Sequence, residues 1–488
     1  MTRHAFREEF FLLNPMKRGV TKAPLPTLAA VLAGVCVFPF ARALAAGGGQ
    51  PAGHGLDPVV LAGLALVFVV AKLGGELFER MNQPAVLGEL VAGMCVGALA
   101  LAGVGGVETL RNDAVIGALA EIGVIILLFE VGLESNLAEM LEVGWSSLLV
   151  ATAGVVVPFF LGWGVSAYFL PGAATLGHVF IGATLCATSV GITARVLRDL
   201  GRLQTRESRI ILGAAVIDDV LGLLILAVVA GAIRASAAGG TLALTDVAVI
   251  ALKSIAFLVG AFLVGHFAVP HLFRGVGRFQ SRGVLLTISL AFCFFLAWVA
   301  AEVGLAPIVG AFAAGLVLDD AHFEPFSHRG ERSLEDLLAP VSAVLVPVFF
   351  VRMGMMVDLG SFARWELLGL AAALTVAAII GKQVCSLAVV ERGVNRLAVG
   401  LGMIPRGEVG LIFAGIGASL MLPNERGVPE PVIGPATFGA VVIMVVVTTL
   451  VTPPALKWSL RRTPAAPEPG QDEAVTEYGE DAARRTEL

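Results

Sequence analysis

The chain has 488 residues, 57% of them hydrophobic and only 15% charged, with a formal net charge of −5 and a mean hydropathy of +0.88. Apolar segments of about 20 residues recur along almost its whole length, which excludes an ordinary soluble domain and requires a backbone that satisfies its own hydrogen bonds in lipid. Strand-like alternation is absent, so the expected fold is an all-α polytopic membrane protein; no basic patch interleaved with aromatics points to nucleic acid, and no cofactor is expected.

In chain order, residues 1–46 read as a signal-peptide-like segment, with a basic start after Met16, a short apolar stretch and a small-residue end at Ala43 to Ala46. An uncleaved extra helix is the alternative, but the apolar stretch falls short of about 18 residues. Thirteen spans follow: 58–78, 84–103, 114–133, 144–170, 174–198, 207–233, 245–272, 282–303, 305–319, 337–359, 365–390, 395–420 and 434–459. Gly93 and Gly97 in the second suit close helix packing, where small residues let backbones approach. Cysteines 36, 95, 186, 293 and 385 lie singly in apolar runs, without the spacing of a metal site or a disulfide framework. Basic residues concentrate in loops after odd-numbered spans, such as "RVLRDLGRLQTRESR", "HFEPFSHRGERSLED" and "VERGVNR". That asymmetry predicts an N-terminus outside and a C-terminus in the cytoplasm; the expected location is a bacterial-type inner membrane. Residues 461–488 are polar and read as a disordered cytoplasmic tail.

Two spans look interrupted at corresponding places of the two halves. "GATLCATSVGITARVL" puts Thr188, Ser189 and Gly191 at mid-depth, and "GLGMIPRGEVGLIFAG" does the same for Pro405, Arg406, Gly407 and Glu408. Paired interruptions of this kind predict an inverted-repeat transporter with its site at the midplane. Unwound backbone there exposes half-helix dipole ends, and Arg406 with Glu408 reads as a charge-compensating set for it.

Asp218 and Asp219 sit in the middle of "ESRIILGAAVIDDVLGLLILAVVAGAI", where a single Asp costs about 2.5–3.5 kcal/mol on insertion scales. Neighbouring helical residues point about 100° apart, so the two carboxylates want different partners. A carboxylate at that depth holds either a proton or a small cation, one excluding the other, which is the minimum machinery of an antiporter. The partner for one of them is expected to be Lys382 in "LTVAAIIGKQVCSLAVV", a lysine with apolar neighbours on both sides. Glu121 in the third span is a candidate to line the path or to compensate Arg352; Lys253 and His266 read as packing or interfacial residues. An intramembrane aspartyl protease also needs two membrane aspartates, but its carboxylates must face each other across a shared water, which neighbours on one helix do not do.

The motifs "CATSVGITARVL", "GAAVIDDVLGLLILAVV", "APIVGAFAAGLVL", "VPVFFVRMGMMVDL", "IIGKQVCSL" and "GMIPRGEVGLI", in this order over residues 57–460, resemble the monovalent cation:proton antiporter family, specifically NapA-type sodium/proton antiporters with a Kef-type membrane domain. The resemblance implies about 13 helices, a dimer domain, and a core domain in which two discontinuous helices cross beside the ion site. It implies that Asp219 is the principal cation and proton carboxylate, that Asp218 pairs with Lys382, that Thr188 and Ser189 flank the site, and that Arg406 and Glu408 form the charged pair at the second crossing. It further implies a homodimer and electrogenic Na⁺ (or Li⁺) exchange for protons by an elevator-type movement, with Asp219 and Asp218 as ligands of the transported Na⁺. Potassium/proton exchange of the Kef type is the nearest alternative, weakened because no Gly-rich nucleotide-binding fingerprint follows the last span. Arg352 departs from the family pattern and is expected to act as an added fixed charge on selectivity or pH profile.

Overall fold

The computed structural model describes residues 58–81, 83–101, 105–134, 144–202, 205–237, 244–276, 283–318, 333–357, 360, 365–423 and 428–461. The signal-like segment 1–46 and the tail beyond 461 lie outside them, as does most of the basic loop 322–336. The chain forms α1 (Pro58–Arg80), α2 (Ala85–Leu101), α3 (Gly105–Asn112), α4 (Ala114–Glu134), α5 (Trp145–Phe169), α6 (Thr175–Thr184), α7 (Val190–Asp199), α8 (Arg206–Ala237) and α9 (Leu244–Val276). It continues with α10 (Val284–Glu302), α11 (Pro307–Val317), α12 (Leu334–Met356), α13 (Trp365–Val384), α14 (Arg396–Gly402), α15 (Gly407–Ser419) and α16 (Pro435–Arg461). Among the described residues, nine helices are long and apolar enough to cross a membrane, or ten when α14 and α15, bent by 44° at their break, count as one.

Local chemistry sets several boundaries. The Asp113 carboxylate accepts the amides of Val115 and Ile116 at 2.9 Å and opens α4; the Ser333 hydroxyl accepts that of Asp336 at 3.2 Å and opens α12. Asn395 caps α14 through the Ala398 amide at 3.0 Å. Each side chain takes a donor that a helix start leaves without an internal partner.

Dense packing separates the helices into two groups. In one, α4 packs on α11 and α12, α2 on α1 and α12, and α10 on α11. In the other, α5 packs on α6, α8 and α13, while α16 packs on α13, α14 and α15. α9 joins them by touching α8, α10 and α11. Close approach in the first group depends on glycine: a β-carbon on Gly93 of α2 would overlap the Val351 carbonyl of α12, and one on Gly354 of α12 would overlap the Leu90 carbonyl of α2. Backbones that meet this closely gain van der Waals contact that lipid does not supply.

One element corrects the all-helical expectation. Where the sequence reads as a loop, "LPNERGVPEP", β1 (Met421–Pro423) and β2 (Pro429–Pro431) pair antiparallel, Met421 opposite Pro431 and Leu422 opposite Glu430. Three-residue strands are too short to show alternation, and a two-stranded edge tolerates the prolines that would break a central strand.

Candidate functional site

The two interrupted spans meet. α6 ends at Thr184 and α7 restarts after Ser189, while α14 ends at Gly402 and α15 starts at Gly407. The Ser189 amide donates to the Pro405 carbonyl at 2.9 Å, joining the breaks directly. From the second break, the Arg406 guanidinium donates to the carbonyls of Cys186 at 3.1 Å and of Ala187, the acceptors left open where α6 ends. From the first break, the Ser189 hydroxyl donates to the Glu408 carboxylate, both of whose oxygens lie 2.9 Å away, and the Thr193 hydroxyl donates to the Gly402 carbonyl at 2.6 Å. A cation thus sits at a helix C-terminus and an anion in the first turn of α15, the signs that helix dipoles favour. Arg406 and Glu408 do not pair with each other. Their side chains leave the start of α15 in different directions, and each is taken by the opposite break.

α8 runs past this crossing and carries the aspartates. The Lys382 ammonium on α13 donates to Asp218 Oδ1 at 2.8 Å, with both side chains 0% exposed. Room for the ammonium comes from Gly154 on α5, where a β-carbon would lie 3.2 Å from Nζ. Asp219 is 7% exposed. It lines a small cavity together with Asp218, Ala187, Leu128 and Val131 of α4, and Val409 and Phe413 of α15. Asp219 Oδ1 and the hydroxyl of Thr188, itself 1% exposed, have no hydrogen-bond partner. Buried polar atoms without partners are uncommon, and carboxylate and hydroxyl oxygens are the donors that suit a hard cation or a proton; apart from the two aspartates the cavity lining is apolar.

The profile of the "Sodium/hydrogen exchanger, transmembrane" family matches residues 64–461. The chain belongs to this family. The exchanger is 40% identical over 441 residues to the High-affinity Na(+)/H(+) antiporter NhaS3 of Synechocystis, covering 82% of this chain and 91% of that protein. It is 35% identical to the Na(+)/H(+)-K(+) antiporter GerN of Bacillus cereus, covering 81% and 95%. A solved structure of the sodium proton antiporter MjNhaP1 from Methanocaldococcus jannaschii shares the fold at a TM-score of 0.61 and 16% identity, over 82% of this chain and 96% of that one. The exchanger is a multi-pass secondary transporter and not an enzyme.

Outside the crossing, Arg352 of α12 lies over α4: a β-carbon on Gly117 would be 3.5 Å from its guanidinium, and its Nε has no partner. Among the described residues no ion pair joins it to Glu121, which lies one turn further along α4 and is exposed. Lys253 on α9 is exposed as well, and the side chain of His266 lies outside the described residues. Two features beside the crossing carry no signal in the sequence: Gly154 is one glycine among 58, and the Thr193 hydroxyl meets its acceptor only across the crossing, at Gly402.

Proposed function

We propose that the exchanger moves Na⁺, or Li⁺, across the membrane in exchange for protons, with Asp219 as the carboxylate that binds ion and proton by turns. The observation that carries this is the difference between the adjacent acids: both line one small cavity, but Asp218 is held by Lys382 at 2.8 Å, whereas Asp219 Oδ1 has no partner. A single carboxylate cannot hold a proton and a cation together, so loading one releases the other. Lys382 and Asp218 form the coupled second group, and two protons per Na⁺ make the cycle electrogenic, adding about 2.3 kcal/mol per net charge per 100 mV to the driving force. Arg406 and Glu408 stabilise the broken helices, with Thr188 and Ser189 bordering the ion.

In this reading thirteen crossings form two inverted repeats. The group built on α5, α8, α13 and α16 is the moving core, and the group built on α4, α11 and α12 is the fixed wall and dimerisation half of a homodimer. The N-terminus lies outside and the C-terminus in the cytoplasm of a bacterial-type inner membrane. The relative whose name includes K⁺ favours K⁺ as a second substrate of the same site. The test is reconstitution in liposomes with simultaneous recording of internal pH and current on addition of Na⁺, Li⁺ or K⁺. Asp219→Asn is expected to abolish exchange of every ion. Retained exchange would remove Asp219 from the site, and pH change without current would remove the electrogenic cycle.

A further inference from the structure

One face of α8 looks toward the group built on α4, α11 and α12, and it is loosely filled. Val220 and Leu223 of α8 line an apolar cavity of about 50 Å³ with Phe312 and Leu316 of α11, and Leu223 also lines the cavity of Asp219. Eleven residues on from Leu223, about three turns along and so on the same face, the contact becomes polar. There Arg234 Nη1 donates to the Leu305 carbonyl at 3.2 Å and to the Gly304 carbonyl at 3.3 Å. Both acceptors belong to the turn between α10 and α11, in the other packing group. Gly304, at φ +91°, ends α10: its amide donates to the Ala301 carbonyl at 2.9 Å, and the Leu305 amide to that of Ala300 at 2.8 Å. The amides of the turn are thus taken up by α10, while its carbonyls meet a donor from α8 at the helix end where a cation is favoured. The Arg234 side chain is exposed, so hydrogen bonds and not burial make this tie.

We propose that Arg234 is a conformational latch, a guanidinium on the moving core that grips the α10–α11 turn of the wall in one position of the core and releases it in the other. This rests on the two packing groups moving against each other during exchange. A shift of α8 by about one helical turn, 5.4 Å, carries the donor out of hydrogen-bond range of both carbonyls. The loosely packed face beside Leu223 does little to hold α8 in place, so two bonds at its end are enough to bias the equilibrium between the positions. Arg234 is remote from the ion; it acts on how often the core occupies the latched position.

The experiment measures spin-label distances by electron paramagnetic resonance in liposomes, with and without Na⁺. One label sits on α5 through Tyr168→Cys and the other on α1 through Leu61→Cys, both exposed positions, with Cys36 and the exposed Cys95 replaced by serine. Two distance populations are expected, one matching this structure. Arg234→Gln should move their ratio away from it by about three- to tenfold, and Arg234→Lys, which keeps a charged donor, should restore part of the shift. Gly304→Ala, strained at a φ of +91°, displaces the acceptors and should shift the ratio the same way. The double variant should add little to either single one. Arg80→Gln, which breaks an exposed pair within α1, should leave the ratio alone. A ratio unaltered by Arg234→Gln, an equal shift in Arg80→Gln, or full additivity with Gly304→Ala would each overturn the latch. Wild type separates the two failures: a single distance that Na⁺ does not change removes the movement itself, whereas two populations that Arg234→Gln leaves unaltered remove only the latch.

Discussion

At the scale of single residues, adjacent aspartates have different physical situations and should fail differently. Removing one member of the buried Lys382–Asp218 pair leaves an uncompensated charge, which typically destabilises by about 3–5 kcal/mol. Asp218→Ala or Lys382→Ala should therefore lower the unfolding temperature in detergent as well as the current. Asp219 has an oxygen with no partner to lose, so Asp219→Asn should keep the unfolding temperature within a few degrees while transport disappears. A thermal-unfolding series that ranks Asp219→Asn below Asp218→Ala would contradict this division. Gly154→Val tests the pair from its far side: its side chain would press on an ammonium 3.2 Å from the β-carbon. The expected result is a lost or shifted current with Asp219 itself untouched. Proton and cation competition on one carboxylate also fixes a sign: the apparent KM for Na⁺ should rise as pH falls, and a KM independent of pH would rule the competition out.

Among elements, the two broken helices depend on each other more than on their own sequences. Thr193→Val removes the 2.6 Å bond to the Gly402 carbonyl and leaves that acceptor buried, a loss of about 1–3 kcal/mol. Arg406→Lys keeps the charge but replaces a planar fork with a point donor, which cannot serve the Cys186 and Ala187 carbonyls in the same geometry. Transport should fall sharply in Arg406→Lys, and a variant with wild-type rates would show that charge alone suffices. Gly407 is a further constraint, since a β-carbon there would come within 2.5 Å of Ser189; Gly407→Ala should disturb the crossing without altering any charge. Such couplings, over 209 to 220 residues of sequence, could not be read from the chain. What could be read was that each span was interrupted by residues that favour unwinding.

Across the whole molecule, the two packing groups touch at few places. One is Met353 of α12 against Gly415 of α15, where a β-carbon on the glycine would lie 2.9 Å from the Met353 sulfur. A flexible thioether against a bare glycine is a contact that tolerates sliding. If the groups slide during exchange, an oxidative cross-link between Met353→Cys and Gly415→Cys should stop transport, and a reductant should restore it. Full exchange in the cross-linked protein would require a mechanism without relative movement of α12 and α15. Gly93 and Gly354 lie within one group, where their role is rigid packing; Gly93→Leu should lower stability by separating α2 from α12.

The sequence by itself determined the membrane-spanning helical class, the depth of the acids, the two interruptions and the presence of Lys382 as a partner, because each of these follows from local composition and helical spacing. Only the tertiary structure decided how they combine. Helical geometry states that Asp218 and Asp219 diverge by about 100° but not which of them meets α13, a choice the sequence yielded only through family resemblance. It states that Arg406 and Glu408 are charged, but not that each compensates the opposite break instead of its neighbour. The hairpin after α15 and the space provided by Gly154 come from packing between segments. Spacing along one helix carries no information about what lies across from it.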